Sequence, residues 1–273
     1  MDYVTSMVEP LVSVIIPTFN NSFILETCLK SIKLQTYSNI EIIIVDNYSI
    51  DDTVKIAKQY NSRVLQVRAL RSAARNYGIK NAEGVFLFYV DSDMELTPDV
   101  VKECVRNTII NHIDAIMIPE ERVGEGFWVK CRAIERLTYI GNPLIESVRF
   151  MRKDVFLKVN GFDEELEAGE DWDLHARIED NGYKIGKIVS KLKHHEGQTS
   201  LKQIVQKRLY YGKTIKKYIK KHPERAKIQY MRLDFFRHWR LLFNNPLYGC
   251  GMLFMKVIEY IATGLSMITS SFS

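Results

Sequence analysis

Short apolar runs alternate with amphipathic stretches through the first 120 residues. Residues 12–17, 40–45, 63–67, 85–90 and 115–119 read as strands. Between them, 23–35, 51–60, 72–81 and 98–110 read as helices, the second opening on acidic residues. Strands that are apolar along their whole length are buried on both faces. This β-α-β-α rhythm therefore predicts an α/β fold, a mostly parallel sheet flanked by helices. Ligands of such sheets bind beyond the carboxyl ends of the strands. Asn20, Asp46 and Asp91 all fall just past such ends. Residues 120–150 are less regular. Farther on, 148–152 reads as a strand, Asn160-Gly161 as a turn, and 170–181 as a helix stopped by Gly182.

The run GVFLFYVDSD (84–93) ends abruptly in two carboxylates, Asp91 and Asp93. Paired like charges at the end of a buried strand are unfavourable unless a cation or polar ligand sits there. A divalent cation holding a phosphorylated substrate answers that need, because hard cations take oxygen ligands.

Composition narrows the classes. At 273 residues, 46% hydrophobic and 26% charged, the chain is globular and long enough for one α/β domain with an appendage. Cys28, Cys104, Cys131 and Cys250 show no Cys-x-x-Cys spacing, which argues against structural zinc and disulfides and suits a reducing compartment. The opening MDYVTSMVEP is too short and polar for a signal peptide. Residues 17–22 after the first strand contain no glycine, unlike a dinucleotide-binding or nucleotidyltransferase loop.

Seven segments, in order, carry a family resemblance: VSVIIPTFN (12–20), IIIVDNYSIDDT (42–53), AARNYGIKNAEG (73–84), FYVDSD (88–93), NGFDEEL (160–166), GEDWDLHARIEDNGY (169–183) and HHEG (194–197). Together they resemble the metal-dependent family 2 glycosyltransferases with the GT-A (Rossmann-like) fold. The resemblance implies that Thr18, Asn20 and Asp46 cradle the base, uracil more often than guanine in that family. It places Arg75 and Ser92 at the nucleotide and diphosphate. Asp91 goes to the ribose or, through water, to the metal; Asp93 and His194 go to the metal, Mn²⁺ or Mg²⁺. Asp171 matches the base that deprotonates the acceptor hydroxyl, with inversion at the anomeric carbon; Glu170 and Trp172 would line the acceptor site. Taken alone, each motif also has a bland reading: a turn at Asp46, a surface ion pair at Arg75, a helix-start signal at Glu170-Asp171.

Charge divides the rest. Residues 1–200 are net −6, whereas 201–240 carry 13 basic residues against Glu224 and Asp234, and 241–273 are net zero. Aromatic residues such as Phe236, Trp239 and Phe243 sit among Arg237, His238 and Arg240, a mixture suited to an anionic membrane surface. Residues 247–268 are long and apolar enough to span a bilayer, but Lys256 and Glu259 sit near the middle. An interfacial or re-entrant helix is expected ahead of a true span, with packing on the catalytic domain or an oligomer contact as the alternative. The expected organisation is a tail (1–9), a GT-A catalytic domain (10–199) and a helical membrane-associating extension (200–273). The expected function is transfer of a sugar from a nucleotide-diphosphate donor to a lipid-linked glycan, peripherally or monotopically at the cytoplasmic face, with no role for nucleic acid. A nucleotidyltransferase and a nucleotide-binding module without turnover are the alternatives.

Overall fold

The structure, a computed structural model, describes residues 9–140, 142–231 and 234–269. The expected N-terminal tail lies outside these residues except for Glu9. The chain opens with β1 (Val12–Thr18), α1 (Ser22–Lys33), β2 (Ile40–Asp46), α2 (Thr53–Gln59), β3 (Arg63–Gln66), α3 (Arg71–Lys80) and β4 (Phe86–Tyr89). Next come β5 (Met94–Leu96), α4 (Val100–Ile110), β6 (Ala115–Met117), β7 (Glu120–Val123), α5 (Phe127–Leu137), β8 (Val148–Arg152) and α6 (Lys153–Lys158). After α7 (Glu170–Asp180), β9 (Ile185–Lys187) and β10 (Leu192–His195), the chain is helical: α8 (Leu201–Lys221), α9 (Pro223–Met231), α10 (Asp234–Arg237), α11 (Trp239–Asn244) and α12 (Pro246–Thr269).

Among the described residues, seven strands form one sheet in the order β3-β2-β1-β4-β8-β6-β9. All its pairings are parallel except those of β8, which runs antiparallel to β4 and β6. The chain winds outward from β1 to β3, then returns to place β4 on the other side of β1. Such a reversal opens a crevice beyond the carboxyl ends of β1 and β4. Successive side chains of β1 face opposite ways: Val12, Val14 and Ile16 pack with α1 and α4, Ile15 with α3 and α6. Gly78 lets α3 lie close on the sheet, since a Cβ there would stand 2.6 Å from Ile15 Cγ2 and 2.8 Å from Val45 Cγ2.

A second sheet, β5-β10-β7, flanks the crevice. Its register sets His194 opposite Met94. The stretch 120–150, expected to be irregular, contains β7 and α5. The buried face of α5 includes Arg132, Glu135 and Arg136, so its inward side does not register as apolar periodicity.

The C-terminal helices are packed on the preceding α/β elements. Cys131 of α5 meets Ile204 of α8 and Met252 and Met255 of α12 in one cluster. Lys256 and Glu259 are only 6% and 2% exposed. Lys256 pairs with Glu259 at 3.0 Å and Glu135 at 2.9 Å, and Glu259 also takes Arg132 at 3.1 Å and Arg208 at 2.9 Å. The charged face of α12 thus docks on the protein, the packing weighed as the alternative to an interfacial or re-entrant helix. Leu253, Phe254, Val257, Ile261 and Leu265 of the same helix remain exposed. By length and composition Pro246–Met267 is also able to cross a membrane.

Glu259 is the carboxylate shared by buried Arg132 and Lys256 and half-buried Arg208. Glu259→Ala should cost about 3–5 kcal/mol by leaving those charges uncompensated. Val257→Ser on the exposed face should change stability by less than about 0.5 kcal/mol. Urea unfolding of the two variants checks the contrast.

Candidate active site

The crevice is organised around Arg75. This side chain is fully buried on α3, one turn before Gly78. Its Nη2 donates to Asp91 Oδ1 at 2.7 Å and its Nη1 to Asp171 Oδ1 at 2.7 Å. Glu170 Oε1 lies 3.4 Å from Nη1. The rings of Tyr89 and Phe162 cover the guanidinium, their centroids 4.8 and 5.2 Å away. One cation thus joins the acid ending the β4 run to the acid opening α7, two positions 80 residues apart in sequence.

Other α3 side chains hold the approach to α7. Ser72 Oγ donates to the Leu166 carbonyl at 2.8 Å, and Asn76 donates to the Phe162 carbonyl at 2.9 Å while accepting from the Phe162 N–H at 3.0 Å. Gly169 takes a positive φ of 81° to start α7, packed so closely on Tyr218 that a Cβ would stand 2.8 Å from its Cγ.

Burial raises the Asp91 carboxyl pKa, but the guanidinium groups of Arg75 and Arg149 outweigh it and hold the group far below the usual carboxylate range. Burial raises Glu170 to about 7, reinforced by Asp171 and only partly offset by Arg71 and Arg75.

The expected metal set of Asp91, Asp93 and His194 is divided. Asp91 faces Arg75 and, at 3.6 Å, Arg149. Asp93 Oδ2 lies 3.2 Å from His194 Nε2, while Asp93 Oδ1 is buried without a hydrogen-bond partner. No group of three or more His, Cys, Asp or Glu side chains converges on a metal position among the described residues. The pair Asp93 and His194, with one orphaned oxygen, fits a cation whose remaining ligands come from a phosphorylated substrate. His195 instead meets Glu95 at 2.8 Å.

At the ends of β1 and β2, Asp46 is fully buried. Its Oδ2 accepts from the Ser49 N–H and from Gln66 Nε2, both at 3.0 Å. Asp46 Oδ1 and Thr18 Oγ1 are buried without partners, as a polar ligand pocket requires. Asn20 is spent on the loop: its N–H donates to Ser49 Oγ and its Oδ1 accepts from the Ile50 N–H. Ser92 Oγ accepts from Asn21 at 2.6 Å. Trp172 donates to the Ile145 carbonyl and packs against Tyr218 and Tyr230.

The profile of Glycosyl transferase family 2 matches residues 13–152, from β1 through the end of β8. The chain belongs to this family. Over 150 residues it is 33% identical to the uncharacterized glycosyltransferase EpsJ of Bacillus subtilis (strain 168), covering 53% of this chain and 41% of EpsJ. Over 213 residues it is 27% identical to the uncharacterized glycosyltransferase RT0329 of Rickettsia typhi, covering 70% of this chain and 66% of that one. It thus spans about two fifths of EpsJ. Among solved structures, the mannosyltransferase PcManGT from Pyrobaculum calidifontis, in complex with GDP-Man and Mn²⁺, superposes with a TM-score of 0.65 at 16% identity, over 96% of this chain and 88% of that one. S. aureus TarS 1-349, in complex with UDP-GlcNAc, gives 0.59 at 18% identity, over 95% and 89%. The fold is GT-A-like.

Within this family member, three site residues escaped the sequence reading. Arg149 lies in β8, beside an apolar run that read only as a strand; it reaches Asp91 and Glu120. Gln66 ends β3 and orients Asp46. Arg71 opens α3 and pairs with Glu170 at 3.4 Å and Tyr211 at 2.6 Å. The only sequence signal for Arg71 was its spacing one turn ahead of Arg75.

The raised Glu170 pKa has a thermodynamic consequence. A carboxyl whose folded pKa exceeds its unfolded value contributes stability below the unfolded pKa and loses it as pH rises through the folded one. Relative to Glu170→Gln, the native chain should therefore lose stability between about pH 4.5 and 7. Thermal melts of both proteins across that range should converge or cross as pH rises; parallel curves would remove the premise.

Proposed function

We propose that the chain transfers a sugar, with inversion, from a nucleoside-diphosphate donor to an acceptor hydroxyl. The observation that carries the reading is the single Arg75 guanidinium holding Asp91 and Asp171 at 2.7 Å each, in the crevice that also contains Asp93 and His194. That arrangement supports reading Asp171 as the base beside the diphosphate site. Membership of the family and the fold shared with sugar-nucleotide complexes support the same class.

The carboxylate of Asp171 takes the acceptor proton as the hydroxyl oxygen bonds the anomeric carbon. The bond from that carbon to the diphosphate oxygen breaks on the opposite side, and the nucleoside diphosphate leaves with its electron pair. Arg75 orients Asp171 through this step. Asp93 and His194 would hold Mn²⁺ or Mg²⁺, which when bound neutralises charge on the departing diphosphate. Asp46 offers one unpartnered oxygen, its other already taken by Ser49 and Gln66. One acceptor suits the single imide N–H of uracil better than the paired N1–H and amino donors of guanine, so a UDP-sugar is the preferred donor.

For the acceptor we favour a lipid-linked glycan at the cytoplasmic membrane face. The exposed apolar side of α12, with Trp239 and Phe243 exposed on α11, supports peripheral or monotopic attachment.

Asp171→Asn should lower turnover by about 10²–10⁴-fold while leaving nucleoside-diphosphate binding by calorimetry unchanged. Asp93→Ala should remove the stimulation of donor hydrolysis by Mn²⁺. Full activity in either variant would overturn the proposal. Binding of UDP without turnover by the native chain would point to a binding module.

A further inference from the structure

A cavity of about 330 Å³ lies between the start of α7 and the inner faces of α5, α8 and α12. Asp171 and Trp172 form part of its wall, whereas Thr18, Asp46, Asp91, Asp93 and His194 do not. It borders the nucleotide and metal residues, since Arg149 in its wall reaches Asp91 at 3.6 Å, but holds the candidate base rather than those residues. Arg71, Arg122, Arg132 and Lys207 bring four cations to it from four different elements.

Three of these cations are matched by carboxylates. Arg71 pairs with Glu170, Arg122 with Glu196, and Arg132 with Glu259 at 3.1 Å and Glu196 at 3.9 Å. Lys207 is different. No hydrogen bond or ion pair to it occurs among the described residues, although it stands in the cavity wall on α8. Desolvation, with Arg132, Arg122 and Arg71 close by, pushes its ammonium pKa down to about 8. Arg132 adds a buried Nε without a partner. Glu120, Glu135, Glu146, Glu167 and other carboxylates share the wall, yet the Lys207 ammonium and the Arg132 Nε stand without an acceptor, which an anion with several oxygens would supply.

We propose that Lys207, Arg132, Arg122 and Arg71 form an anion subsite that takes a phosphate group carried by the acceptor. The assignment to the acceptor rests on the glycosyltransferase reading above, because the subsite shares its cavity with Asp171 and not with the nucleotide residues. Two sources present the same chemistry, a lipid-linked phosphate and a water-soluble phosphorylated acceptor. The inner face of α12 supplies Lys256, Glu259, Tyr260 and Thr263 to this cavity while its outer face is apolar. A phosphate held here by a molecule with an alkyl tail would therefore sit beside a surface suited to the tail.

The test uses the whole chain, first saturated with Mn²⁺ and with UDP, or with GDP if that nucleotide binds instead. Inorganic phosphate and dodecyl phosphate below its micellar concentration are then titrated by calorimetry. Phosphate should bind the saturated protein, and Lys207→Ala should weaken it by about 10–100-fold without altering nucleotide affinity. Lys207→Arg should restore most of the binding. Lys207 holds no hydrogen bond or ion pair among the described residues, so thermal melts of the variants should match the native chain. Tighter binding of dodecyl phosphate by at least about tenfold assigns a lipid source, and equal binding assigns a soluble one. The subsite is overturned if phosphate no longer binds once the nucleotide is present, which would make these cations a donor clamp. It is equally overturned if Lys207→Ala binds phosphate as tightly as the native chain. Failure of the glycosyltransferase reading would show separately, as absent turnover with phosphate binding intact.

Discussion

The site depends on one buried cation. Arg75 has no exposure, and its guanidinium joins carboxylates from two elements far apart in the chain. Desolvating an arginine is unfavourable by several kcal/mol unless well-placed anions compensate. Here Asp91, Asp171 and Glu170 compensate it, and the net effect holds the guanidinium pKa above its ordinary value despite burial. The dependence is mutual. Without Arg75, three acids would face one another at the mouth of the crevice. Gly78, Ser72 and Asn76 serve the same end by seating α3 on the sheet and binding the loop that leads into α7.

The sheet and its helices were legible because both faces of each central strand are apolar, so burial and sequence pattern coincide. The ends of β1, β2 and β4 were legible for the complementary reason: charged or polar residues follow the apolar runs directly. Asp46, Asp91 and Asp171 stand out against that background, and Arg75 joins the last two. Arg149 and Arg132 were not legible. Each is a charged residue on a buried face, and a single sequence gives no sign of which distant carboxylate will meet it. The same masking hid α5, whose inward side carries Arg132, Glu135 and Arg136. Lys256 and Glu259 were read as costly in lipid, yet that argument did not say where they turned. The structure gives them Arg132, Arg208 and Glu135 as partners.

The ordering of charge along the chain also acquires a spatial meaning. The acidic first 200 residues and the basic stretch after them meet across one cavity. Ion pairs run from α8 to the preceding elements, as in Lys221 with Asp163 and Asp173, and Lys217 with Glu165. Exposed pairs of this kind contribute little stability individually. Together with the buried Leu166, Ile215, Tyr218 and Ala226, they fix α8 over the start of α7. The candidate base is therefore walled on one side by the helical extension.

The inward face of α12 ties the end of the described chain to the elements around the candidate base. An apolar last helix invites trimming when a protein is wanted in detergent-free solution. A cut before Pro246 would strip Arg132 and Arg208 of Glu259, open the cluster around Cys131, and unroof the chamber next to Asp171. Solubility would have to come from recolouring the outer stripe with polar side chains, leaving the helix itself in place.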